Sequence, residues 1–387
     1  AEQGAQQRCG DSHSTVHPAI LSFADIARMR LHYLLRVALS LLLALGAAVA
    51  CVALRTPLPW MIGPLVATAL VSMAGLPTQS WGPLRNGGQW VIGAALGLYF
   101  TPQVTALVAS LWWAILLAIA WALLLGLGFA AVLYRLHAPR LPQVEPKAMR
   151  ATAFYAGAVG AASEMTLLSE RVGARTDLVA AAHSLRLMVV VLVIPFGLQA
   201  SGLTGVDVTP AGSRVVHPAG LLALGVCTVA GALLMQRLGR ANPWFMGSLV
   251  VAMGFIMAGI TLSAIPVALS NAAQLVIGVS LGVRFTSGFL HTAPRWLASV
   301  ALGTLVMMGL CAGFAWLLSL GTGLHPVTLL LGTSPGGITE MSITAKVLQL
   351  GVPVVTAFQV CRLVAVLLLA NPLWHWLQAR RARDAAR

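Results

Sequence analysis

The chain has 387 residues, 58% of them hydrophobic and only 9% charged, with a formal net charge of +14. A soluble domain carries about 25% charged residues, so the composition excludes an ordinary soluble enzyme. No polar stretch is long enough for the DNA-binding domain that so basic a chain would otherwise suggest. The apolar runs are continuous and do not alternate, which argues against a β-barrel and predicts an all-α polytopic membrane protein.

In chain order, residues 1–30 form a polar N-terminal tail, and Met29-Arg30 ahead of the first apolar run has the form of a natural start. Six apolar segments follow, near 31–54, 58–75, 86–101, 104–134, 151–170 and 176–199, and make a first membrane repeat over 31–199. A linker at 200–214 leads to six more, near 215–236, 243–261, 271–286, 296–320, 327–349 and 353–378, which form a second repeat over 215–379. Residues 380–387 are a basic C-terminal tail. Lysines and arginines lie mostly between the apolar segments and read as anchors at the cytoplasmic face. The cysteines, at 9, 51, 227, 311 and 361, have no paired spacing and form no zinc or redox motif.

The halves match at three places in the same order. Pro59-Trp60-x-x-Gly63 corresponds to Pro243-Trp244-x-x-Gly247. QWVIGAALGLYFT from Gln89 corresponds to QLVIGVSLGVRFT from Gln274. Ser163-Glu164-Met165 corresponds to Thr339-Glu340-Met341, and an arginine follows each glutamate after the same gap, Arg186 and Arg362. This ordered correspondence marks an internal duplication. The first two elements read as structural, with proline opening a helix and glycines permitting close helix contact.

Charge discriminates between orientations of the halves. If all twelve segments cross, the halves are parallel and the loops hold twelve Lys/Arg inside and eight outside, a weak bias. If 151–170 and 327–349 are re-entrant, ten segments cross and the halves are inverted. That arrangement puts seventeen Lys/Arg inside and leaves only Arg55, Arg214 and Lys346 outside. The sequence therefore predicts two inverted repeats, about ten crossing helices plus two re-entrant or broken ones, with both termini cytoplasmic.

Ionisable groups within membrane segments are costly and mark function. In the second repeat, Ser334-Pro335-Gly336-Gly337 breaks the helix and Thr339 and Glu340 fall in the first turn of the next, where free N–H groups face the break. In the first repeat the breakers are Gly157 and Gly160, followed by Ser163 and Glu164. Two readings of the glutamates stand: caps of their own helices, neutralised by Arg186 and Arg362, or carboxylates that couple transport to a proton or cation. The arginines are candidates for contact with an anionic substrate or for charge partners. His183 and Gln359, three residues before them, are candidate polar partners or, for the histidine, a proton shuttle.

SPGGITEM, its partner GAASEM and the two Pro-Trp-x-x-Gly elements resemble the AbrB family of duplicated bacterial inner-membrane proteins, over most of residues 31–378. In outline the family is similar to the cation:proton antiporter and bile-acid symporter superfamily. The resemblance implies inverted repeats, helices broken near the midplane, and transport of a small solute or ion across the cytoplasmic membrane. The residues themselves point to no cofactor and no direct nucleic-acid partner, and ten crossing helices with many small residues suit a monomer or a homodimer. The first repeat departs from the pattern, with Ala158 and Val159 standing where the second has Ser334 and Pro335. The family is also labelled ammonia monooxygenase and regulator. A copper oxygenase needs clustered imidazoles, whereas His32, His183, His291, His325 and His375 are scattered; the sequence predicts no metal site and no enzyme. An indirect role in regulation of gene expression is the alternative to a carrier, and a passive channel the third reading.

Overall fold

In lipid, each backbone polar group must be satisfied within its own segment, and the apolar runs of this chain meet that demand as helices. The computed structural model describes residues 23–140, 144–202, 215–288 and 293–385. Most of the N-terminal tail and of the linker at 200–214, Cys9 and His291 lie outside the described residues. The first half comprises α1 (Phe23–Ala53), α2 (Pro59–Met73), α3 (Gly82–Gly97), α4 (Pro102–Ser110), α5 (Trp112–His137), α6 (Pro146–Gly157), α7 (Ala162–Glu170) and α8 (Thr176–Ala200). The second comprises α9 (Pro218–Arg237), α10 (Pro243–Met257), α11 (Val267–Gly282), α12 (Pro294–Thr322), α13 (Pro326–Thr333), α14 (Ile338–Val347) and α15 (Val352–Ala385). The first helix begins ahead of the apolar segment, and the last carries most of the basic tail as helix. Proline opens α2, α4, α6, α9, α10, α12 and α13, where its missing N–H is not needed.

Among the described residues, six helices are long and apolar enough to cross a membrane, or seven if α3 and α4, bent by 91° at their junction, make one span. The ten crossings expected from the sequence include α2, α10 and α11, which are only 15, 15 and 16 residues long. At about 1.5 Å per residue they fall short of a hydrocarbon layer of about 30 Å. Glycines with left-handed backbone, Gly75 (φ 83°) and Gly259 (φ 74°), follow α2 and α10 at corresponding positions of the two halves.

The helices form two layers. In one, α3 packs on α10, α2 on α11, α1 on α2 and α9 on α10, with α3 and α11 side by side. In the other, α5 packs on α6 and α15, α12 on α13 and α8, α7 on α8 and α14 on α15. α3 and α14 meet across the two layers. Outward-facing leucines such as Leu39, Leu124 and Leu302, each at least 64% exposed, give both layers an apolar exterior suited to lipid.

The duplicated motifs hold the first layer together. A Cβ on Gly97 would lie 2.6 Å from Leu249 O of α10, and one on its counterpart Gly282 would lie 2.7 Å from Leu65 O of α2. Gly63 approaches Ala47 O of α1, and Gly247 approaches Gly231 O of α9. Only a residue without a side chain permits these crossings. Gly247→Val is expected to destabilise the protein by about 1–3 kcal/mol or more, because the obstructing atoms are backbone and cannot rotate away. The check is the thermal midpoint of the purified protein against Gly46→Val, whose added Cβ meets nothing within 4 Å; equal midpoints would contradict it.

Candidate functional site

Each half contains one interrupted helix in the second layer. α6 ends at Gly157 and α7 starts at Ala162; α13 ends at Thr333 and α14 starts at Ile338. The chain folds back at the first break. Arg175 N, just before α8, donates to Thr152 Oγ1 of α6 (2.9 Å), and further along α8 His183 and Arg186 reach the end of α6, while α7 packs back along α8. In the second half Gly351 lies beside Thr328, the counterpart of Thr152, and Gln359 and Arg362 reach the end of α13.

The buried arginines bind the broken ends. Arg186 donates through Nη1 to Ala156 O (3.2 Å) and through Nη2 to Ala158 O (3.0 Å). Its Nη2 also meets His183 Nδ1 (2.8 Å), while His183 Nε2 meets Tyr155 O (2.9 Å), so that ring nitrogen is the donor. Arg362 donates to Ser334 O, to Gly336 O (2.8 Å) and to Gln359 Oε1 (2.5 Å), and Gln359 Nε2 donates to Leu331 O (2.6 Å). Helix-terminal carbonyls carry partial negative charge, and each guanidinium sits on one such end. His183 and Gln359 orient the forks and close the remaining carbonyl at each tip.

The glutamates occupy the opposite ends of the breaks. Both are the third residue of their helix, Glu164 after Ala161-Ala162-Ser163 and Glu340 after Gly337-Ile338-Thr339. At that position a carboxylate faces the positive helix end and the free N–H groups. Glu340 is 7% exposed and its carboxylate folds back over Gly337, whose place any Cβ would contest; Glu164 is half-buried. Neither glutamate lies within ion-pair distance of its arginine; among the described residues the ion pair is Arg175–Asp177 (2.6 Å). Each break is thus electrostatically balanced by a cation at one end and a carboxylate at the other, without contact between them.

The other predicted positions divide. Gly157 lets α6 pack on Gly126 O of α5, Gly160 and Gly336 lie under Met165 and Met341, and Ser334 Oγ donates to Leu331 O (3.2 Å). Pro335 is buried in the second break, while Ser163 and Thr339 face a shared cavity.

That cavity, about 400 Å³, lies between the two layers and brings both breaks together. Val159 to Glu164, Gly336 to Glu340 and Arg362 form one wall; Arg85, Asn86 and Gln89 of α3, Asn242 and Trp244, and Ile277, Ser280, Leu281 and Arg284 form the other. Sequence reasoning takes Arg85, Arg240 and Arg284 as membrane anchors, whereas here they line the cavity. A signal for two of them lies in the repeat: Arg85 and Arg284 correspond to Ser270 and Tyr99, so the charge is not part of the duplicated pattern. Among the described residues no three His, Cys, Asp or Glu side chains converge on a point that could hold a metal ion.

Fold and site together define a polytopic helical membrane protein with paired helix breaks at a polar cavity between two layers. The chain belongs to the AbrB family: residues 60–378 match the family described as "Transition state regulatory protein AbrB". It is similar to "Uncharacterized protein YhjN" of Bacillus subtilis (strain 168), 26% identical over 352 residues that cover 82% of this chain and 87% of that protein. It is also similar to "Putative regulator AbrB" of Escherichia coli (strain K12), 25% identical over 355 residues, 90% of this chain and 97% of that protein.

Proposed function

We propose that the chain is a secondary active transporter of the bacterial cytoplasmic membrane, moving a small solute or ion coupled to H+ or Na+ by alternating access. The observation that carries this reading is the convergence of both helix breaks, each with its own arginine and glutamate, on one cavity between two layers. Broken helices at a repeat interface are how many carriers bind ligand and coupling ion. Glu340, buried and on the cavity wall, is the coupling carboxylate; the half-exposed Glu164 has a lesser part.

Inverted repeats are the topology of this reading, and packing supports them. His137 Nε2 at the end of α5 meets Ser299 Oγ near the start of α12 (3.0 Å), and Trp296 Nε1 donates to Leu178 O near the start of α8 (3.2 Å). The first hairpin enters from that side. The second follows the far end of α12, with Cys311 Sγ donating to Thr333 O at its tip (3.4 Å). α6, at 12 residues, rises about 18 Å and so reaches near the midplane as a re-entrant hairpin. Arg135, Arg140, Arg150, Arg171, Arg175 and Arg295 cluster at the side where α5 ends, which makes it the cytoplasmic one by the positive-inside rule.

The test is solute-dependent proton or sodium flux in proteoliposomes. Glu340→Gln is expected to abolish coupled flux and Glu164→Gln to weaken it. Normal coupling in both variants would remove the glutamates from the mechanism. The names of the family and of the Escherichia coli relative favour a second reading, an indirect role in regulation through a transported metabolite or a membrane partner. A response confined to reporter genes, with no flux for any solute, would favour it.

A further inference from the structure

We infer that the cavity takes a small organic carboxylate, its head between Arg85, Arg284 and the N-terminal end of α14 and its apolar body against Leu187, Ile277 and Leu281. The inference rests on the carrier reading of this site and specifies its substrate class. Arg85 and Arg284 are each half-buried on the cavity wall, and among the described residues neither guanidinium has a hydrogen-bond or ion-pair partner. Glu340 faces both from beyond ion-pair distance. A guanidinium withdrawn from bulk water with no counter-charge in contact favours an anion, and its planar fork suits a carboxylate.

Two further observations point the same way. Arg362, only 4% exposed, lines the same cavity with its Nε unbonded, so that wall also keeps an unused donor. α14, ten residues long, turns its positive N-terminal end and Thr339 to the cavity, where Glu340 takes up only part of that end. The cationic pair is also specific to this mouth, since Ser270 and Tyr99 hold the corresponding positions of the other repeat; a purely architectural role would have been duplicated with the fold. Arg240, exposed at the rim, adds long-range attraction for anions. A cationic solute would meet four arginines against two glutamates here. An inorganic anion would leave the leucine and isoleucine wall unused, whereas a volume of about 400 Å³ admits a short organic chain.

The experiment is calorimetric titration of the purified full chain with hexanoate, hexanamide, hexylamine and inorganic phosphate, on the parent protein and on Arg85→Gln, Arg284→Gln and Glu340→Gln. Hexanoate is expected to bind in preference to the other three probes. Each arginine variant is expected to weaken it about tenfold to a hundredfold, the loss of one charge-assisted contact. Glu340→Gln, which removes a like charge from the anion's side, is expected to tighten it. Thermal unfolding and gel filtration identify misfolded variants, and Arg85→Lys, which keeps the charge, provides a folded comparison expected to lie between parent and glutamine. Equal binding of hexanoate and hexanamide, preference for phosphate, or unchanged affinity in both folded arginine variants would overturn the inference. Hexanoate binding without flux in proteoliposomes would retain the site and overturn the carrier reading. Glu340-dependent flux of a cation, with no carboxylate bound, would retain the carrier and overturn the substrate class.

Discussion

Replacing Arg362 with glutamine is expected to lower the thermal midpoint by many degrees and to abolish transport. The side chain joins three acceptors at the second tip: Gly336 O, Gln359 Oε1 and Ser334 O, the last of which also accepts from Gln359 Nε2 (3.3 Å). Its removal leaves Gly336 O and Gln359 Oε1 without a donor, and leaves Ser334 O only the bond from a Gln359 amide that is then free to turn away. An orphaned buried acceptor costs about 1–3 kcal/mol, so the loss at this tip is on the order of 2–6 kcal/mol. Two effects oppose it. Burial of a cation without a counter-ion is relieved, and the adjoining cavity can supply water to Gly336 O. Neither restores the geometry, because one planar group fixes two different peptide units and the Gln359 side chain. Arg362→Lys therefore serves as the decisive comparison: a single ammonium cannot span the same acceptors, and it should behave much like glutamine. A lysine variant with the parent's unfolding midpoint and flux would show that only the charge matters.

The parts of this arrangement were not equally legible in the sequence. Gly97, Gly282, Gly63 and Gly247 were readable because duplicated glycines within apolar segments have a short-range cause, close approach of two helices. The breaks were readable for the same reason: Ser334-Pro335-Gly336-Gly337 cannot continue a helix, and the duplication carried the reading to the weaker first copy. The partners of the arginines were not. Arg362 and Glu340 lie on different helices, and spacing does not say whether a guanidinium crosses to a carboxylate or to the carbonyls of the intervening break. His183 and Gln359 precede the arginines by three residues on the same helix, which made their contact with the guanidinium the more accessible inference. Arg85 and Arg284 were least legible. Both stand near the ends of apolar segments, where basic residues normally anchor a helix, and only the approach of the two layers turns them toward a cavity. Left-handed glycines end α2 and α10 at 15 residues each, close to the ends of the apolar segments 58–75 and 243–261.

Joining positions 270 and 346 with a short bifunctional thiol reagent, in a Ser270→Cys/Lys346→Cys variant, is expected to stop transport completely while leaving carboxylate binding within about twofold of the parent, the spread of an unperturbed site. The cavity is closed at the end opposite Arg85 and Arg284. There Lys346 Nζ, near the end of α14, donates to Ser270 Oγ of α11 (3.4 Å), and Leu58, Met341 and Ile343 are buried in one apolar cluster. The corresponding region of the other repeat is open: Asn242, the counterpart of Leu58, lines the cavity wall. On the carrier reading proposed above, the two related halves exchange these roles, so α14 is expected to part from α11 while the region around Asn242 closes. A tether between α14 and α11 forbids that exchange and traps the form described above, with its binding site intact. Each single-cysteine variant treated with the same reagent controls for modification alone and for the native cysteines. Flux at the parent's rate after complete cross-linking would mean that the α14–α11 contact does not open during transport, and the moving boundary would have to lie elsewhere.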